Sequence, residues 1–174
     1  MLSHKGRTTA PRAGGTAPRM PIMPLMLLAL LLAMASGCAS NALLINRVVD
    51  GDTVDITGPD GETKVRLYGI DAPEMNQRYG REARGLLEAV ADSDDVLIDP
   101  MERDQYGRVV AVLYVDGRNI NRELVKSGAA WVYRPFCRAD FCSEWIGLES
   151  DARVNRRGLW YDRRPVPPWK WRRR

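Results

Sequence analysis

From Ala42 onward the chain breaks into short apolar stretches divided by polar turns. Residues 42–49 and 53–57 are rich in β-branched side chains and are separated by Asp50-Gly51-Asp52, which is a hairpin signal. A second turn, Gly58-Pro59-Asp60-Gly61, leads into residues 62–68, where Thr63, Val65 and Leu67 alternate with Lys64, Arg66 and Tyr68. That period of two turns Arg66 away from the apolar face. Three strands in a meander follow. Over residues 79–91, Ala83, Leu86, Leu87 and Val90 recur at helical spacing among charged residues. Residues 96–98 and 109–115 then predict two strands on either side of an Asp104 to Arg108 turn. Residues 119–126 and 144–156 predict two further helices, the second ended by Gly158. Five strands with a helix between the third and fourth is the order of an OB-fold, a five-stranded β-barrel with about three helices and hence α+β in class. A small open α+β sheet satisfies the same pattern.

Ahead of this body the pattern is different. Lys5, Arg7, Arg12 and Arg19 occur with no acid in residues 1–20, and they precede an apolar run from Ile22 to Ala35 broken only by Pro24. Such a segment reads as a secretory signal, and its run is short of the ~20 apolar residues of a membrane span. Ala33-Met34-Ala35 offers a cleavage site that would release a soluble chain. Ala35-Ser36-Gly37-Cys38 resembles a bacterial lipobox, with Cys38 lipidated, and this route accounts for an otherwise unpaired cysteine. Both routes lead out of the cytoplasm, to an outer-membrane or cell-surface lipoprotein or to a periplasmic or secreted protein. Residues 1–38 are therefore expected to be a signal peptide of lipoprotein type. In an oxidising compartment, Cys137 and Cys142 are expected to form a small disulfide.

Export changes the charge balance. Lys plus Arg is 26 and Asp plus Glu is 22 over the 174 residues, and removing the four leader cations leaves 22 against 22. Six of the remaining cations, Arg163, Arg164, Lys170, Arg172, Arg173 and Arg174, crowd the last dozen residues. The body is thus net acidic and the tail, residues 162–174, basic and rich in Pro and Trp. Bulk charge gives no argument for a polyanionic ligand, although the tail could meet a nucleic-acid backbone or an anionic membrane, or simply be solvated.

Site chemistry is more informative. The only histidine is His4, so a mature enzyme has no imidazole for base, acid or metal ligand. With too few cysteines for a zinc cluster, hard oxygen ligands point to calcium or magnesium. Asp52 and Asp71 are the best acid pair for such a cation. Glu74, beyond the rigid Pro73, could act as general base on a water, and Arg66 and Arg108 could hold a phosphate by bidentate hydrogen bonds. Each turn alone is ordinary. Their conjunction is a set of tools for phosphoryl transfer.

Residues 48–54, 65–74, 79–83, 104–108, 121–128 and 157–160, in that order, resemble the thermonuclease, or staphylococcal nuclease-like, family, with the resemblance covering residues 43–161. It implies an OB-fold endonuclease that uses Ca2+ to hydrolyse DNA and RNA with water, leaving 3′-phosphates in the type enzyme. By position it implies Asp52, Asp71 and the carbonyl of Ala72 as calcium ligands, and Arg66, Glu74 and Arg108 as the catalytic trio. Tyr106 is retained as a substrate contact. A family lysine is replaced by Gln105, and Trp131 and Tyr133 stand near two base-stacking tyrosines, although core packing would equally explain aromatics there. A monomer is expected. The rival readings are a nucleic-acid-binding module without catalysis, which gives no reason to keep Glu74 beside a polyanion, and an envelope lipoprotein adaptor, which rests on Cys38 alone.

Overall fold

The computed structural model describes residues 42–93 and 95–174; the expected signal peptide and Cys38 lie outside the described residues. Strands β1 (Leu44–Asp50), β2 (Thr53–Gly58) and β3 (Gly61–Leu67) form the antiparallel meander, with Val54 opposite both Val48 and Val65. Next come β4 (Ile70–Asp71), helix α1 (Gly80–Ala91), β5 (Val96–Arg103), β6 (Val109–Val115) and β7 (Arg118–Asn119). After them run α2 (Ile120–Lys126), β8 (Trp131–Val132), α3 (Cys142–Val154), a 3-10 turn (Gly158–Tyr161) and α4 (Pro168–Trp171).

The main sheet runs β1-β2-β3-β6-β5, with β6 parallel to β3 and β7 appended to β6. The order of strands is that of the OB-fold. The sheet is not hydrogen-bonded all the way round, but a bridge between Leu43 and Val96 brings its two ends together at one point. Strand β6 is buried along nearly its whole length. Its near-continuous apolar sequence follows, because a strand covered on both faces has no solvent side to mark with polar residues.

Val54, Val65, Leu67, Leu87, Leu113 and Val125 are almost completely buried in one core. Inside it lies Asn121, whose Nδ2 donates to the carbonyls of Tyr68 and Ala111 and whose Oδ1 accepts from the Leu113 amide. Every bonding group of that amide is thereby used, so a buried polar residue fastens α2 to β6 and to the exit of β3 without a desolvation penalty left unmet.

Three details differ from the expectations, while the Cys137–Cys142 disulfide is as expected. Strand β5 continues past residue 98 to Arg103, through an irregularity between Pro100 and Glu102. The last long helix spans 142–154, and Gly158 opens a separate 3-10 turn instead of capping it. Cys137 and Cys142 are bonded, with Cα atoms 5.7 Å apart, immediately before α3. The tail is the main correction. Residues 165–174 do not form a solvated end: Pro168 is buried, α4 is helical, and the segment lies across the site. Once Trp169 is packed on Trp131 and Tyr133 and Trp171 is bonded to Asn76, the six cations no longer dictate where the tail goes.

Candidate active site

The bottom of the site is the Asp50 to Asp52 turn, which can lie close to the 71–74 loop only because residue 51 has no side chain. A Cβ on Gly51 would stand 2.7 Å from that of Ala72 and 2.9 Å from that of Ala83. The Leu67 amide donates to the Asp52 carbonyl, and the Ala72 amide donates to Asp52 Oδ2 at 2.5 Å. Strand β4 pairs with β8, Ile70 opposite Val132 and Asp71 opposite Trp131, and this holds Asp71 at the barrel rim.

Arg66, projecting from β3 on the side opposite Val65 and Leu67, spans the two acids. Its Nη1 lies 2.6 Å from Asp52 Oδ1 and its Nη2 2.8 Å from Asp71 Oδ1. One guanidinium touching both means that the two carboxylates converge. Asp71 is 1% exposed and Asp52 5%. Burial pushes the Asp52 carboxyl up to about 8 against the pull of Arg66, with Asp50 and Asp71 adding to the rise and the Ala72 amide opposing it.

Glu74 is placed by its own loop. The Gln77 amide donates to the Glu74 carbonyl, and Gln77 Oε1 accepts from the Glu74 amide. Helix α1 begins directly behind it, after Tyr79 at φ 70°. A Cβ on Gly80 would come within 1.9 Å of the Glu74 carbonyl oxygen. The helix start and the candidate base therefore share one packed backbone contact.

The Asp104 turn supplies the other wall. Asp104 Oδ1 accepts from the amides of Tyr106 and Arg108, and its Oδ2 lies 2.6 Å from Arg108 Nε. Burial opposes ionisation of Asp104, but these hydrogen bonds prevail and hold its carboxyl below the usual range. Arg108 packs over the Tyr106 ring, centroid 5.6 Å away, and that ring is 75% exposed.

Together Asp52, Arg66, Asp71, Ala72, Glu74, Tyr106, Arg108 and Tyr133 line one cleft of about 760 Å³. Trp131 does not line it. Its ring is buried against Trp160, 4.2 Å between centroids, under the Arg153 guanidinium, so packing accounts for it as it does for a core aromatic.

One cleft residue was missed from sequence. Arg172 reaches Asp71 Oδ2 at 2.9 Å and Asp71 Oδ1 at 3.1 Å, and its Nη1 lies 2.6 Å from Glu74 Oε1. Partial burial disfavours its charge, yet the bonds to Asp71 and Glu74 drive its pKa further above the ordinary arginine value. Only the density of cations in the tail signalled it, with nothing to single out one of six.

Among the described residues, no three acidic, imidazole or thiol side chains form a ready-made metal cage. Asp52 and Asp71 nevertheless suit a hard cation that completes its shell with a backbone carbonyl, water and phosphate oxygens.

Residues 64–162 match the family model described as "Staphylococcal nuclease homologue". An "Uncharacterized endonuclease" of Escherichia coli is 38% identical over 138 residues, covering 79% of this chain and 88% of its own. "Protein ParB" of Escherichia coli is 40% identical over 136 residues, 73% of this chain and 76% of its own. "Micrococcal nuclease" of Shigella flexneri is 37% identical over 136 residues, 73% and 78% respectively.

Proposed function

Because the chain belongs to the staphylococcal nuclease homologue family, we propose that its cleft hydrolyses phosphodiester bonds of DNA and RNA, with calcium as cofactor. The observation that carries this reading is convergence: Asp52, Arg66, Asp71, Glu74 and Arg108, drawn from three separate turns and a strand, line one cleft. A surface evolved only to hold a polyanion has no use for three carboxylates there.

Asp52 and Asp71 would hold the calcium, with the Ala72 carbonyl as a further ligand. When bound, the ion supplies positive charge to a phosphate oxygen and to a water. Glu74 removes a proton from the attacking water as its oxygen bonds to phosphorus, and the bond to the leaving oxygen breaks on the opposite side, that oxygen keeping the electron pair and taking a proton from solvent. Arg108 through its two Nη groups, and Arg66 through the N–H groups not bonded to Asp52 and Asp71, would donate to the non-bridging oxygens, whose charge grows in the transition state. Arg108, held by Asp104 on one side of the cleft, and Arg66, on the strand below, approach the phosphate from different directions. A lysine offers a point charge in place of a planar fork and would lose that geometry.

We further place this activity outside the cytoplasm, on the strength of the basic and apolar leader and the lipobox at Cys38. Incorporation of a palmitate analogue, abolished by Cys38→Ser, checks the anchor.

The enzyme reading is tested by incubating the protein with single-stranded DNA in calcium, in magnesium and in chelator. Cleavage in calcium well above chelator is expected. Glu74→Gln should retain DNA binding and lose about 10²–10⁴-fold in kcat; undiminished turnover would remove Glu74 from the base role.

A further inference from the structure

The last ten residues cross the cleft as a fastened strap. Gln77 Nε2 donates to the Val166 carbonyl at 2.5 Å, Trp171 Nε1 donates to Asn76 Oδ1 at 3.1 Å, and just upstream Arg78 pairs with Asp162 at 3.1 Å. These fixings all lie on or beside the loop that carries Glu74. Trp169 in helix α4 and Arg172, the residue that caps its C-terminus in helical conformation, stand three residues apart and hence on one face. That face meets the site at two points.

At one point, Trp169 stacks on Tyr133, with centroids 5.2 Å apart and planes 24° apart, while Phe136 stacks on the same tyrosine at 5.1 Å and 25°. A base seeking that ring meets Trp169. At the other point, the Arg172 guanidinium bonds to both oxygens of Asp71 and to Glu74. Asp71 is the acid shared with Arg66, and Glu74 is the candidate base. An arginine so bonded withholds one carboxylate from a metal and the other from a water.

We propose that residues 165–174 are an internal ligand of the cleft, with Arg172 standing in for a divalent cation and Trp169 for a nucleobase, so that metal and nucleic-acid strand enter by displacing them. This rests on the nuclease reading of the site. The exchange raises the positive charge on Asp71 from one to two, and the departure of Arg172 frees Glu74 to act as base. Released, Lys170, Arg172, Arg173 and Arg174 are available to the phosphates of the incoming strand, so the element that closes the site also helps retain what opens it. A strap closed nine-tenths of the time leaves one-tenth of the molecules competent, and weakens apparent metal affinity about ten-fold.

The test is calorimetric titration of the purified protein with calcium alone, comparing wild type, Arg172→Gln and Arg118→Gln. Arg172→Gln is expected to bind about ten-fold more tightly, and Arg118→Gln, whose cation pairs with Asp116 away from the cleft, to match wild type. Trypsin cleavage after Lys170 should accelerate when calcium and a short single-stranded DNA are added to wild type. Equal or weaker calcium binding by Arg172→Gln overturns the strap, and does so even if wild type cleaves DNA in calcium, in which case the nuclease reading stands. Tightened binding by Arg172→Gln together with failure of every form to cleave DNA upholds the strap as a gate on the metal site and overturns the nuclease reading.

Discussion

Arg108 shows how a single side chain is held in place by its neighbour Asp104. Its guanidinium would swing freely from an exposed turn without Asp104, which fixes both the turn, through two backbone amides, and the side chain, through Nε. Only Nε of the guanidinium is bonded to Asp104, which leaves the two Nη groups for the phosphate of the proposed reaction. Asp104→Asn keeps the acceptor oxygen and loses the ion pair. A fall in kcat of about 10-fold with little change in KM is expected, against about 10²-fold for Arg108→Lys, which loses the fork itself; steady-state kinetics on a defined oligonucleotide would check both. Equal losses would mean that Asp104 acts on more than the position of Arg108.

At the level of elements, the site is a set of loops pinned by small residues. Gly80 is where α1 begins and where the Glu74 carbonyl rests, and no side chain fits between them. Gly80→Ala should therefore move Glu74 and not unravel the helix: activity falls at least 10-fold while the far-ultraviolet circular dichroism spectrum is kept. Much of this level was legible in the sequence. Strands 53–58 and 109–115 declare themselves by β-branched apolar runs, strand 61–67 and helix 80–91 by period, Arg66 by its place on the polar side of its strand, and Asp52, Asp71, Glu74 and Arg108 by standing in turns at strand ends. What stayed hidden has a common cause. The β4–β8 pair is two residues in each strand, too short for any period to register, although it decides that Asp71 sits at the rim. Trp131 and Tyr133, two residues apart, read as equivalent; burial against Trp160 and Arg153 takes the first out of the cleft and leaves the second in it. Arg172 meets Glu74 across 98 residues of chain, and no local pattern encodes that meeting.

For the molecule as a whole, stability and function draw on separate charges. Asp55 joins the meander through Lys64 Nζ at 2.6 Å and Arg47 Nη2 at 2.6 Å, across both neighbouring strands and away from the cleft. The hydrogen bond from Lys64 is the chief reason its carboxyl titrates below the ordinary 3.8, with burial opposing and Arg47 assisting. A depressed acid stabilises the fold above its unfolded pKa and ceases to do so as pH falls through the lower folded value. Asp55→Asn should thus lower the melting temperature by about 4 °C at pH 7, with the gap from wild type closing below pH 4 in thermal scans. A further consequence lies in the contact of two glycines. Gly128 and Gly158 abut so closely that a Cβ on either would stand 2.3 Å from a backbone oxygen, and the Leu159 amide donates to the Gly128 carbonyl. The chain is clamped there. From Gly158 to Arg172 is fourteen residues, a leash of about 50 Å at full stretch. A released Arg172 cannot be diluted beyond that radius and faces its carboxylates at an effective concentration on the order of millimolar. If the strap yields to calcium as proposed, the glycine contact sets a threshold, because soluble calcium would have to rise far enough to outcompete a cation that never leaves the vicinity.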